Sequence, residues 1–174
     1  MTLTPERPGW DELFMELARL MARRSTCLRR QVGAVLVRDN RVLASGYNGP
    51  PSGMPHCADL GGCLREKLGV PSGERQEICR AIHAEQNAVL QLAITGLSGR
   101  GATAYVTAHP CFTCAKLLVQ LGVVRVVYAD GYPDRLAREL FTEAGIEVVR
   151  HAGFGFGSGS QYREGSEPAL QGVL

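Results

Sequence analysis

The sequence is poor in several features that mark whole classes of protein. No apolar run reaches the length needed to span a bilayer, and the opening MTLTPERPGW lacks the basic-then-apolar pattern of a secretory leader. Formal charge is only +2 over 174 residues, so the broad basic footprint of a nucleic-acid binder is missing. Neither a membrane nor a nucleic acid is therefore expected as a partner. Lysine is scarce and nearly all positive charge is arginine, a side chain suited to phosphate contacts. No internal repeat is present. What is there is ordinary soluble composition, 45% hydrophobic and 21% charged, in a length that suits one globular domain with a real core. The expected compartment is cytoplasmic. Thiols stay reduced there, so six cysteines lean towards metal binding or catalysis over disulfides.

Apolar spacing along the chain predicts alternating elements. Residues 10–24 place Trp10, Leu13, Phe14, Leu17, Leu20 and Met21 at helical spacing. Asp11 and Glu12 fall in its first turn and Arg23 and Arg24 in its last, as the helix dipole favours. QVGAVLVR and RVLASGYN flank Asp39-Asn40 and read as a β-hairpin. The stretch 49–79 is rich in Gly and Pro, an over-long loop for a compact domain. Then come a helix in AIHAEQNAVLQLAITG stopped by Gly96, a strand in ATAYVT and a helix in CFTCAKLLVQLG stopped by Gly122. A strand in VVRVVYAD, a helix in YPDRLARELFTEAG and a last strand in IEVVR follow. This order predicts an α/β fold with parallel strands in its second half. Residues 1–152 form the expected domain, and the Gly/Ser-rich 153–174 is expected to be a flexible or docking tail.

The chemistry concentrates in HPCFTCAK, residues 109–116. By themselves Cys111 and Cys114 fit core packing, a redox pair, a disulfide or half of a metal site. Upstream, His83 supplies a third ligand type. One imidazole and two thiolates suit zinc and leave the fourth tetrahedral position to water. A helix start is a sound place for such thiols, because free N–H groups and the positive dipole end stabilise thiolate. Glu85 follows His83 by two. Inside a regular helix that spacing turns the side chains about 200° apart, from roughly 100° per residue. Both face one metal only where the motif straddles a helix N-terminus. A carboxylate there has work to do: two thiolates neutralise the ion's formal charge, so an activated water needs a base to take its proton. Zinc, an activated water and a proton-shuttling carboxylate attack sp² carbon, as in deamination of a nucleobase. H-x-E…P-C-x-x-C is the signature of zinc-dependent deaminases, and His83-Ala84-Glu85 with Pro110 to Cys114 fills each place in it.

The likeness extends further. QVGAVLV, GYNG at 46–49, HAEQNAVL and YVTAHPCFTCAKLLVQLGVVRVVYADGYPD together resemble the deoxycytidylate (dCMP) deaminase family, from about Cys27 to Asp134 and loosely to Arg150. That resemblance implies a three-layer α/β/α cytidine-deaminase-like sandwich around a five-stranded mixed sheet. The implied reaction is hydrolysis of dCMP to dUMP and ammonia, supplying dUMP for thymidylate synthesis. His83, Cys111 and Cys114 are then the ligands of a catalytic Zn2+. Glu85 moves the proton from the activated water to ring N3 and on to the departing amine. Asn87 and Tyr132 fall on nucleotide-site positions. Tyr47, Asn48 and Gly49 match an allosteric motif at which dCTP and dTTP are the implied effectors, although Asn-Gly is also a plain turn former. A homo-oligomer, dimer or hexamer, is implied as well.

Cys27, Cys57, Cys63 and Cys79 remain, with His56 beside one of them. Four thiolates would satisfy a closed tetrahedral zinc site and order the long loop. The family resemblance places Cys27 and Cys57 at two such ligands, while Cys63 and Cys79 are less firmly matched, and His56 is an alternative ligand. Ordinary free thiols are the plainer reading. Arg65, Arg75 and Arg80 are phosphate candidates on charge alone. Two rival functions stand beside dCMP deamination: a zinc deaminase for another nucleoside, nucleotide or tRNA base, and a non-catalytic zinc-binding module.

Overall fold

The computed structural model describes residues 7–131 and 134–151. Helix α1 (Trp10–Ala22) buries Phe14, Met15, Ala18 and Ala22. It ends two residues before the sequence pattern suggests, with Arg23 already its C-cap. Strands β1 (Gly33–Arg38) and β2 (Arg41–Tyr47) form the expected hairpin. Asp39 and Asn40 both take left-handed backbone, φ 51° and 57°, which matches the twist of a two-residue hairpin turn. Residues 49–79 contain only the four-residue α2 (Leu64–Lys67) and one 3₁₀ turn, Gln76–Ile78.

From there the chain alternates: α3 (Ala84–Thr95), β3 (Thr103–Ala108), α4 (Phe112–Leu121), β4 (Arg125–Asp130), α5 (Arg135–Glu143) and β5 (Glu147–Arg150). The sheet runs β2-β1-β3-β4-β5. β1 is antiparallel to both its neighbours, whereas β3, β4 and β5 are mutually parallel. This is a five-stranded mixed sheet with helices on both faces.

Period-two alternation sorts the core into two layers. Val35 and Val37 of β1, with Tyr105 and Val127, meet Phe14, Met15 and Ala18 of α1. Ala34 and Leu36, with Val106 and Val126, meet the face formed by α3, α4 and α5 through Ala88, Leu118 and Phe141. Strands buried on both sides read as apolar runs, which is how the sequence writes them. An ion pair fixes α1 to the sheet. Arg125 of β4 donates to both Asp11 oxygens at 2.7 and 2.8 Å, and the Tyr105 hydroxyl donates to Oδ1 of the same carboxylate at 2.7 Å.

Among the described residues no helix is long and apolar enough to cross a membrane. The expected tail, 153–174, and Tyr132 lie outside the described residues.

Candidate metal centre and active site

Two helices begin at one point. His83 is the N-cap of α3 and Cys111 the N-cap of α4, both with extended backbone. Cys114 sits one turn into α4. The His83 Nδ1 lies 3.5 Å from the Cys111 sulfur and 3.4 Å from that of Cys114. For tetrahedral zinc with Zn–N of about 2.0 Å and Zn–S of about 2.3 Å, the N···S edge is about 3.5 Å. The donor set therefore fits the ion in chemistry and in spacing. Among the described residues it is also the only group of three or more potential ligands whose donor atoms lie within 4.8 Å of one another.

Glu85 is the second residue of α3, so the His83–Glu85 pair straddles the helix start. Its side chain is buried, 5% exposed. Burial raises its pKa to about 7, with the His83 ring and the neighbouring sulfurs as smaller influences of mixed sign. Cys111 moves the other way, to about 4, chiefly through the hydrogen bond from Cys114. The same bond, with burial, pushes the Cys114 thiol up, so the free pair holds its thiolate at the α4 N-cap, and thiolate is the form that takes metal. Local capping supports the layout. Gln86 Oε1 accepts the His83 N–H at 2.8 Å, one half of a capping box whose other half joins the His83 side chain to the Gln86 backbone.

Known proteins resemble this chain. The family description "Cytidine and deoxycytidylate deaminase zinc-binding region" matches residues 8–130. The chain belongs to the cytidine and deoxycytidylate deaminase family. The deoxycytidylate deaminase of Schizosaccharomyces pombe is 43% identical over 146 residues, covering 83% of this chain and 45% of that protein. ComE operon protein 2 of Bacillus subtilis is 44% identical over 144 residues, covering 82% of this chain and 71% of the other. The chain thus spans under half the length of its fission-yeast relative. Among solved structures, the dCMP deaminase of cyanophage S-TIM5 in complex with dCMP and dUMP superposes with a TM-score of 0.69 at 31% identity. That match covers 84% of this chain and all of the phage protein.

In this deaminase-family chain the GYNG segment, Gly46 to Gly49, braces the metal centre. Gly49 and Ile82 exchange backbone hydrogen bonds at 3.1 and 2.8 Å, which fixes the residue before His83. Asn48 is buried; its Oδ1 accepts from the Val32 N–H at 2.8 Å and its Nδ2 donates to the Arg30 carbonyl at 2.9 Å. Asn87 of α3 donates from Nδ2 to the Tyr47 carbonyl at 3.1 Å. Gly49 and Asn87 thus hold the end of β2 to the start of α3, and Asn48 ties it to the residues before β1.

A cavity of about 1140 Å³ opens over His83, Glu85 and Cys111. Arg29, Arg30, Arg65, Arg80 and Arg150 line it, and so do Cys27, Cys57, Cys63 and Cys79. Of the three arginines singled out in the sequence, Arg75 turns away to pair with Glu77 at 2.7 Å. All four of these cysteines are free thiols. Burial raises the Cys57 thiol, then Cys63, Cys79 and Cys27 add to the effect. They share one region without converging to ligand spacing. His56 accompanies them, its Nδ1 2.6 Å from the Thr26 hydroxyl.

Sequence reasoning missed His109, Asp134 and Arg150, which also line the cavity. His109 lies against the motif: its Nδ1 is 2.9 Å from the Pro110 carbonyl, and its ring meets Tyr128 edge-on at 4.8 Å. Position beside Pro-Cys was the only signal for it.

Proposed function

We propose that this chain hydrolyses dCMP to dUMP and ammonia. The observation that carries the reading is a buried carboxylate of raised pKa, Glu85, beside a three-donor metal set that no fourth protein ligand closes among the described residues. A purely structural zinc site has four protein ligands and no use for such an acid. When bound, zinc supplies the Lewis acidity that makes water nucleophilic near neutral pH. The protein's own part is proton traffic and placement. Glu85 takes one proton of the attacking water on a carboxylate oxygen and gives it to ring N3, where it stays in the product. It then takes the second proton from the oxygen now on C4 and gives it to the leaving amine nitrogen as the C–N bond breaks. A group whose pKa lies near the working pH can do both. His83 and the two thiolates fix the ion, and their charge keeps the site close to neutral.

The arginines support a phosphorylated substrate. Five line the cavity, and among the described residues only Arg30 has a carboxylate partner, Asp130 at 3.2 Å. Glu74, Glu85, Asp130 and Asp134 line the cavity too, but guanidinium groups without a carboxylate partner on a concave wall favour an anion. In this reading Asn87 and Tyr132 touch the nucleotide. Asn87 gives an N–H to the Tyr47 carbonyl and does not itself line the cavity, so its contact with the nucleotide requires the sugar to reach the end of β2.

The proposal includes a second, structural zinc held by Cys27, Cys57, Cys63 and Cys79, with His56 as the alternative ligand. It also includes dCTP and dTTP as effectors at Tyr47, Asn48 and Gly49, with Asn48 holding the loop. A cytoplasmic homo-oligomer, dimer or hexamer, completes it. Side-by-side turnover of dCMP, CMP, deoxycytidine and an adenosine-containing tRNA hairpin tests the substrate. The expected order puts dCMP first; a better rate on any of the others replaces the assignment.

A further inference from the structure

Cys111 occupies the N-cap of α4 with its sulfur turned to His83. An N-cap side chain serves the N–H of the second or third helical residue, not that of the first. The first N–H of α4, on Phe112, takes its acceptor from elsewhere. Asp134, the N-cap of α5, accepts from the Ala137 N–H at 3.1 Å through Oδ1 and from the Phe112 N–H at 3.2 Å through Oδ2. Phe112 is the first residue of α4 and the neighbour of Cys111. One carboxylate therefore closes two helix starts that are 23 residues apart, 112 to 135, each with its positive dipole end towards it.

We propose that Asp134 is a positioning residue for the metal thiolates: it fixes the first N–H of α4, beside Cys111, and so holds the helix start from which the Cys111 and Cys114 sulfurs reach the metal. The inference rests on the metal reading of His83, Cys111 and Cys114. Without Asp134 the Phe112 N–H loses its acceptor, and a helix start free to shift displaces both sulfurs from the geometry that a metal needs.

The test separates capping of α5 from capping of α4. Asp134→Ser can still cap α5 from its own N-cap position but is too short to span to Phe112. Asp134→Asn keeps the shape, yet its amide nitrogen cannot accept the second bond. Each full-length variant is checked by circular dichroism and then titrated against a chromophoric chelator for zinc. Cobalt is substituted to read the d–d and thiolate-to-metal absorption bands. Expected are wild-type secondary structure, a loss of zinc affinity of roughly 10- to 100-fold, as for lost outer-shell partners, and shifted cobalt bands, with Asn the milder. Wild-type affinity and unshifted bands in either folded variant overturn the proposal. None of these readouts involves substrate, so failure of wild-type protein to deaminate dCMP would refute the proposed function and leave this result standing.

Discussion

A β-carbon on Gly46 would lie 2.3 Å from the Ala84 carbonyl oxygen and 2.6 Å from the Ala88 nitrogen. The backbone of α3 thus rests directly on β2, one residue after His83. Gly46→Ala should force the helix off the strand, because backbone atoms cannot yield as a side-chain tip can. The expected loss is about 1–3 kcal/mol or more, the range for overpacking, read from urea denaturation. Since the displaced segment carries His83 and Glu85, zinc retention under dialysis should fall with it. A stable variant with full zinc would mean that α3 does not need this close approach.

Glu85→Gln removes the proton carrier and keeps the volume. Turnover of dCMP should fall by at least about 10²-fold, the lower range for general acid–base groups. The catalytic zinc should stay, since Glu85 is not one of the three donors. Steady-state kinetics with metal analysis of the same preparation checks both. Undiminished turnover would remove the residue from its role.

Much of this was readable in advance because it is local. Asp39-Asn40 signals the hairpin through its own turn chemistry, and Gly96 and Gly122 end α3 and α4 where the apolar spacing stops. The H-x-E spacing requires a helix start, and the structure has one at Ala84. Long-range partners carry no such sign. Asp134 can be read as an N-cap of its own helix, but nothing in the sequence says that its second oxygen reaches Phe112. The same holds for Asn48, whose turn-forming character hid a buried bracket between Val32 and Arg30. Residues 49–79 defeated periodicity for a different reason. A four-residue helix and one 3₁₀ turn are too short to show a period.

Acid should weaken the tie between α1 and β4. The Arg125 hydrogen bonds hold the Asp11 carboxyl below its usual value of 3.8, against the opposing effect of burial. A pKa lowered by folding gives stability that is complete above the unfolded-state value and disappears as pH falls through the folded one. Asp11→Asn should therefore be less stable than wild type at pH 7. The gap should narrow below about pH 4, near the unfolded-state value, and close at still lower pH. Denaturation curves for both proteins from pH 7 to pH 2.5 measure it. A gap independent of pH would show that the carboxylate charge contributes nothing.

The four remaining cysteines make a sharper demand on metal stoichiometry. They line one cavity, and three of them raise the proton affinity of the fourth, Cys57. Four thiolates in one place need a cation to compensate them, and a divalent ion bound by all four does so while tying 49–79 to the residues before β1. Purified protein should then carry two zincs per chain. Cys63→Ser should carry one, lose order in 49–79 as judged by limited proteolysis, and keep the zinc at His83, Cys111 and Cys114. The sulfurs do not yet stand at ligand spacing, so binding must draw them together, and protease resistance of the segment should rise with zinc added back to wild type. A reproducible count of one in wild-type protein, with proteolysis unaffected by added zinc, would leave these residues as ordinary free thiols.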